Sequence, residues 1–165
     1  MSTAERPLLE QVRAALAEAQ FDPTHASDIF LRATAETALQ AALPTAVIAV
    51  GGRDDAGLPT ARFLGATYRP DLLVELDTDR VAVGLTLLRT DAGPLASALA
   101  RAVVLSQQLP VATVIVDRRI ERANPFAAPA TQRLHPHDQA TMDYLGSRHR
   151  VAFVVLRQAP FSFGQ

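Results

Sequence analysis

Tyr68-Arg69-Pro70-Asp71-Leu72-Leu73-Val74-Glu75-Leu76, then Asp77-Thr78-Asp79-Arg80, then Val81-Ala82-Val83-Gly84-Leu85-Thr86-Leu87-Leu88-Arg89 is the stretch whose reading decides the fold. The two flanks are apolar, β-rich runs, and the polar tetrapeptide between them reads as a tight turn. Strands over about 71–76 and 81–88, paired antiparallel, are therefore expected. Side chains two apart on a strand share a face. Asp71, Leu73 and Glu75 fall on one face, with Leu72, Val74 and Leu76 on the other. On the second strand Ala82, Gly84 and Thr86 lie opposite Val81, Val83, Leu85 and Leu87.

Downstream, Asp91 precedes a helix whose face is read as Leu95, Leu99, Ala102 and Val103, ending near Gln108 ahead of Pro110. Val111–Val116 is a continuous apolar run of the kind buried on both faces of a sheet. Residues 118–134 read as loop, 138–145 as a short helix, and 151–156 as a further strand. Upstream, Thr45–Val50 is a strand that ends at Gly51-Gly52, and residues 60–68 read as its hairpin partner. A helix opening at Asp22-Pro23 is expected to run to about Ala42. An amphipathic helix over 7–19 carries Leu9, Val12, Leu16 and Ala19 on one side.

The chain has 165 residues, enough for one domain with a real core, and no linker divides it. Its 48% hydrophobic and 20% charged residues are those of a globular protein. A net charge of −1 advertises no basic field for nucleic acid. With no cysteine there is no disulfide, thiolate metal site or thiol nucleophile. Neither a signal-like start nor a run near the ~20 apolar residues of a membrane span is present. A cytoplasmic protein with no membrane partner is expected. Sixteen Arg stand beside no Lys at all, a bias typical of GC-rich bacterial coding. No lysine can act in catalysis here.

The central stretch resembles the PD-(D/E)xK restriction-endonuclease-like superfamily. The likeness rests on Pro70-Asp71, the hairpin ending Leu87-Leu88-Arg89, the helix after Asp91 and the strand ending Asp117-Arg118-Arg119. It covers roughly residues 26–119. The resemblance implies an α/β fold with an α-β-β-β-α-β core, here with an extra N-terminal helix and a C-terminal helix–strand extension. It also implies a magnesium site built from the Asp of Pro-Asp and the acid of an acid-x-lysine triplet on the next strand. In this chain Gly84 and Thr86 stand at the acid and lysine positions, so the scaffold is kept without its chemistry. Glu75 is a poor second ligand, because four residues along a strand span about 13 Å. Arg89 cannot replace the lysine. Alternation sets it apart from Thr86, and a guanidinium does not deprotonate. Glu36 matches the position of an additional helix acid, and reads more simply as a surface glutamate.

Other candidates have simpler readings beside the functional ones. His135-Pro136-His137-Asp138 has metal-like residues, yet Asp138 also fits as a helix cap. Gly51-Gly52-Arg53 lacks the Gly-Lys-Ser/Thr of a phosphate loop and is a turn. Arg118, Arg119, Arg122, Arg133, Arg148 and Arg150 are the candidate nucleic-acid contacts, or solvated partners of the seventeen acids. The tail Ala159-Pro160-Phe161-Ser162-Phe163 carries two phenylalanines that need cover. The reading is a catalytically inactive, nuclease-like binding protein without cofactor, acting as a homo-oligomer or with a partner protein, with DNA weakly supported. The alternatives are a divergent magnesium-dependent nuclease using Asp71 with Glu36 or Glu75, and an unrelated α/β structural subunit.

Overall fold

The computed structural model describes residues 6–21, 27–89, 91–117 and 136–157. Helix α1 (Leu8–Ala17) is followed by α2 (Asp28–Ala42), and strand β1 (Val47–Val50) leads into a short 3-10 turn. Next come β2 (Ala61–Phe63), β3 (Ala66–Tyr68), β4 (Leu72–Leu76) and β5 (Asp79–Leu88). Then follow α3 (Gly93–Leu105), β6 (Val111–Asp117), α4 (Pro136–His149) and β7 (Val151–Arg157). The result is a mixed α/β fold. Its five-stranded sheet runs β1-β4-β5-β6-β7, with a separate two-stranded hairpin β2–β3.

The decisive stretch folds as read. β4 and β5 pair antiparallel from Leu76↔Asp79 to Leu72↔Val83. Asp77 takes a positive φ of 54° at the turn, a conformation Asp tolerates better than most side chains. β5 and β6 then run parallel through the crossover helix α3, and β6 and β7 run parallel as well. Every residue of β6 from Val111 to Val116 is buried, as its unbroken apolar sequence requires.

Alternation sends the sheet's side chains into two cores. On one face, Leu72, Val74, Val81, Val83, Ala112, Val114, Val116 and Val154 pack against Leu8, Val12 and Leu16 of α1 and Leu31, Ala35 and Leu39 of α2. On the other, Leu73, Ala82, Val111 and Val151 pack with Ala102 and Leu105 of α3 and with Leu58, Ala61 and Leu109, and Ala49, Val104 and Phe153 are half-buried against them.

Three sequence expectations are corrected. Residues 60–68 do not pair with β1. They fold back on themselves at Leu64-Gly65, both at positive φ, and leave β1 to pair with β4. The second helix opens at Asp28 rather than at Asp22-Pro23, which lies outside the described residues. Ser27 is extended (φ −93°, ψ 153°), and its hydroxyl accepts from the Phe30 N–H at 3.5 Å, so the helix is capped there. The buried face of α3 is Ala98, Ala102 and Leu105, not the stripe through Leu95, Leu99 and Val103. Small residues sit where the helix crosses close to β5.

Candidate functional site

Asp71 lies where β4 begins, and the backbone fixes it from both sides. Its N–H donates to the Val83 carbonyl (2.8 Å), and its carbonyl accepts from the Gly51 N–H (2.7 Å). A side chain at Gly51 would stand 3.1 Å from that carbonyl, so the close approach of β1 needs glycine. The last β4–β5 pair is Leu72↔Val83, and Pro70 has no N–H to extend the ladder. Beyond it the Asp71 side chain takes over: Oδ2 accepts the Leu85 N–H at 2.7 Å.

Two arginines close on this carboxylate from opposite layers. Arg32 of α2 donates from Nε and Nη2 to Oδ1, each at 3.3 Å, and from Nη1 to the Gly51 carbonyl at 3.1 Å. Arg101 of α3 brings Nη1 to 2.9 Å from Oδ2, while its Nη2 donates to the Leu85 carbonyl at 3.0 Å. Gly84 makes room for it. A Cβ there would meet Arg101 Nη2 at 3.1 Å and Nε at 3.4 Å. The position that the resemblance gives to an acid is roofed by a guanidinium instead.

A divalent cation does not fit this set. Both Asp71 oxygens are engaged by cations or by an N–H, and neither Gly84 nor Thr86 offers a carboxylate. At an effective dielectric near 20, a divalent ion about 4 Å from one guanidinium meets about 8 kcal/mol of repulsion. Among the described residues no group of three or more His, Asp or Glu is placed to hold a metal.

The remaining candidates disperse. Glu36 is held by Arg53, at 2.6 Å from Nη2 to Oε1 and 3.2 Å from Nη1 to Oε2. That pairing, with Asp54 beside it, raises the Arg53 pKa above its ordinary value. The Asp54 carboxyl is in turn held below its ordinary range, first by the Val50 N–H and then by Arg53. Glu75 faces Arg80 across the hairpin at 2.7 Å, an exposed cross-strand pair. Of the candidate phosphate contacts, Arg148 stacks over Tyr144 with its Cζ 5.4 Å from the ring centroid. Arg150 donates to the Ser106 carbonyl at 3.1 Å. Arg118, Arg119, Arg122, Arg133, His135 and the phenylalanine tail lie outside the described residues. Pro136, His137 and Asp138 form the first turn of α4.

Beside Arg101 opens a cleft of about 770 Å³, lined by Tyr68, Arg69, Thr86, Ser97 and Arg101 among others. Arg89 lines it too, as do Leu85 and Leu87, with which alternation groups it. Sequence reasoning missed Arg32 and Arg101 altogether. The one available signal was a lone arginine within the apolar run Leu95–Leu105.

Among the described residues no helix is long and apolar enough to cross a membrane. No family model, no curated protein and no solved structure matches this chain.

Proposed function

We propose that this protein is a non-catalytic binding domain built on a restriction-endonuclease-like core, in which a metal site has become an internal ion-pair cluster. The observation that carries the reading is the Arg32–Asp71–Arg101 arrangement, with Arg101 roofing Gly84. Three groups of the cluster carry a net positive charge where the active family needs a negative one. The order α2-β1-β4-β5-α3-β6, with β5 and β6 parallel and β4 and β5 antiparallel, supports the core assignment. α1 and the α4–β7 unit are additions to it. The function is recognition, through self-association or a partner protein. Exposed Ile29 and Phe30 on α2 and exposed Val47 on the sheet-edge strand β1 support such an association.

The test is a cleavage assay on single- and double-stranded DNA with magnesium or manganese. The expected result is no turnover by the wild-type chain. Metal-dependent cleavage abolished by Asp71→Ala would establish the competing reading, a divergent nuclease. The double change Gly84→Glu with Thr86→Lys is expected to displace Arg101 and gain manganese binding with little turnover.

A further inference from the structure

We infer that the cleft beside Arg101 is a binding site for a small phosphate monoester, held without a metal ion. This rests on the binding reading above and names the ligand class of the same site.

Thr86 supplies the first observation. It is only 8% exposed and lines the cleft. Its hydroxyl can both donate to and accept from a ligand seated in the cleft. The second observation is charge. Arg69 is exposed, lines the same cleft, and has no acidic partner among the described residues. Arg101 turns part of its guanidinium to solvent there, its side chain 22% exposed. With two arginines on one carboxylate, the Asp71 cluster keeps one positive charge uncompensated. Ser97 on the first turns of α3 adds a further hydroxyl.

Two guanidiniums and two hydroxyls lining one cavity suit an oxyanion with several acceptor oxygens. A divalent cation meets none of its needs in that set. The acids Asp28 and Asp91 also line the cleft. Asp91 spends Oδ1 on the Gly93 N–H at 2.6 Å. The acids therefore set a limit on ligand charge, favouring a monoester over a polyphosphate or a nucleic-acid backbone. The volume lies within the roughly 300–1,000 Å³ of small-molecule sites. Half-buried Tyr68 offers a ring against which the organic part of the ester can rest.

The experiment is a titration of the full chain in the presence of EDTA, read by calorimetry and by amide shifts. The probes are inorganic phosphate, a nucleoside 5′-monophosphate, a sugar phosphate and the bare nucleoside. Phosphate and both esters are expected to bind competitively, and the nucleoside alone is not. Arg69→Gln and Thr86→Val should each weaken phosphate about 5- to 10-fold, whereas Thr86→Ser retains most of the affinity. Arg148→Gln, on α4 and outside the cleft lining, controls for bulk charge and should change nothing. A nucleotide tighter than the sugar phosphate assigns the base to Tyr68; equal affinities assign only the phosphate. No binding at millimolar phosphate overturns the inference. So does equal weakening by Arg148→Gln and Arg69→Gln. Either result leaves the cleavage assay untouched, so this inference and the non-catalytic reading fail separately.

Discussion

The two faces of the sheet are built to different standards. The face under α1 and α2 is apolar throughout, with Leu16, Leu39, Leu72, Val74, Val81 and Val83 all fully buried. The face under α3 is crossed closely by that helix. It holds small residues at Ala82, Gly84, Ala98 and Ala102, and carries the buried polar side chains of Thr86 and Thr113. Stability is concentrated on the first face. Space and polarity are concentrated on the second. The same contrast applies to charge pairs. Asp71 is shielded and shared between two helices, whereas Glu75 and Arg80 form a solvated pair of the kind worth about 0–1 kcal/mol.

The contrast predicts its own largest effect on the apolar face. Leu72→Ala should lower the unfolding free energy by about 3–5 kcal/mol, measured by urea denaturation, because α1, α2 and the sheet cannot collapse around the void. A loss below about 1 kcal/mol would mean that this face is loosely packed and would erase the distinction.

Asp71→Ala is expected to cost about 2–4 kcal/mol. It leaves two guanidiniums and the Leu85 N–H without their acceptor, moderated by the water both arginines still reach. Replacing the group together (Arg32→Met, Asp71→Leu, Arg101→Met) should restore most of that loss in the same assay. Stability that stays low in the triple variant would show the cluster to be worth more than an apolar substitute.

A smaller effect of opposite sign is expected at Thr113. Its hydroxyl is buried without a partner, directly across from Gly84 on the neighbouring strand. Thr113→Val keeps the shape and removes the orphaned group, so stability should rise by about 1 kcal/mol. A loss would reveal that the hydroxyl has a role in the α3 layer.

The smallest effect lies outside both faces, in the turn after β1. The Asp54 carboxyl has a lowered pKa because it accepts from the Val50 N–H and pairs with Arg53. Such a group contributes stability fully above the ordinary aspartate pKa and loses it as the pH falls through its lower folded value. Acid unfolding of Asp54→Asn should therefore be slightly less pH-dependent than that of wild type. Identical acid limbs would show that solvent screens the pair entirely.

Much of this fold was legible in the chain. The alternation of 71–76 and 81–88 gave the pairing and its faces, and the unbroken run 111–116 gave the buried inner strand. The misread segment, 60–68, has a β-rich composition that suits either partner. Leu64-Gly65, which turns it back on itself, gives a weak signal because leucine seldom takes a positive φ. The α3 face was misassigned because a helix lying close to a strand buries alanines, whereas hydropathy ranks leucines first.

For the site, the sequence by itself determined its composition: no lysine anywhere, and a glycine and a threonine at positions 84 and 86. It also fixed Asp71 on the same strand face as Leu73, since a period of two follows from backbone geometry alone. Only the tertiary structure decided what surrounds Asp71. Arg32 and Arg101 lie 39 residues before and 30 residues after Asp71 in the chain, as their numbers show. Nothing local aims them at one carboxylate. Their meeting depends on how α2 and α3 pack on opposite layers at the end of β4, and on the Cβ that Gly84 lacks. Long-range packing sets those relations, and no local periodicity encodes them.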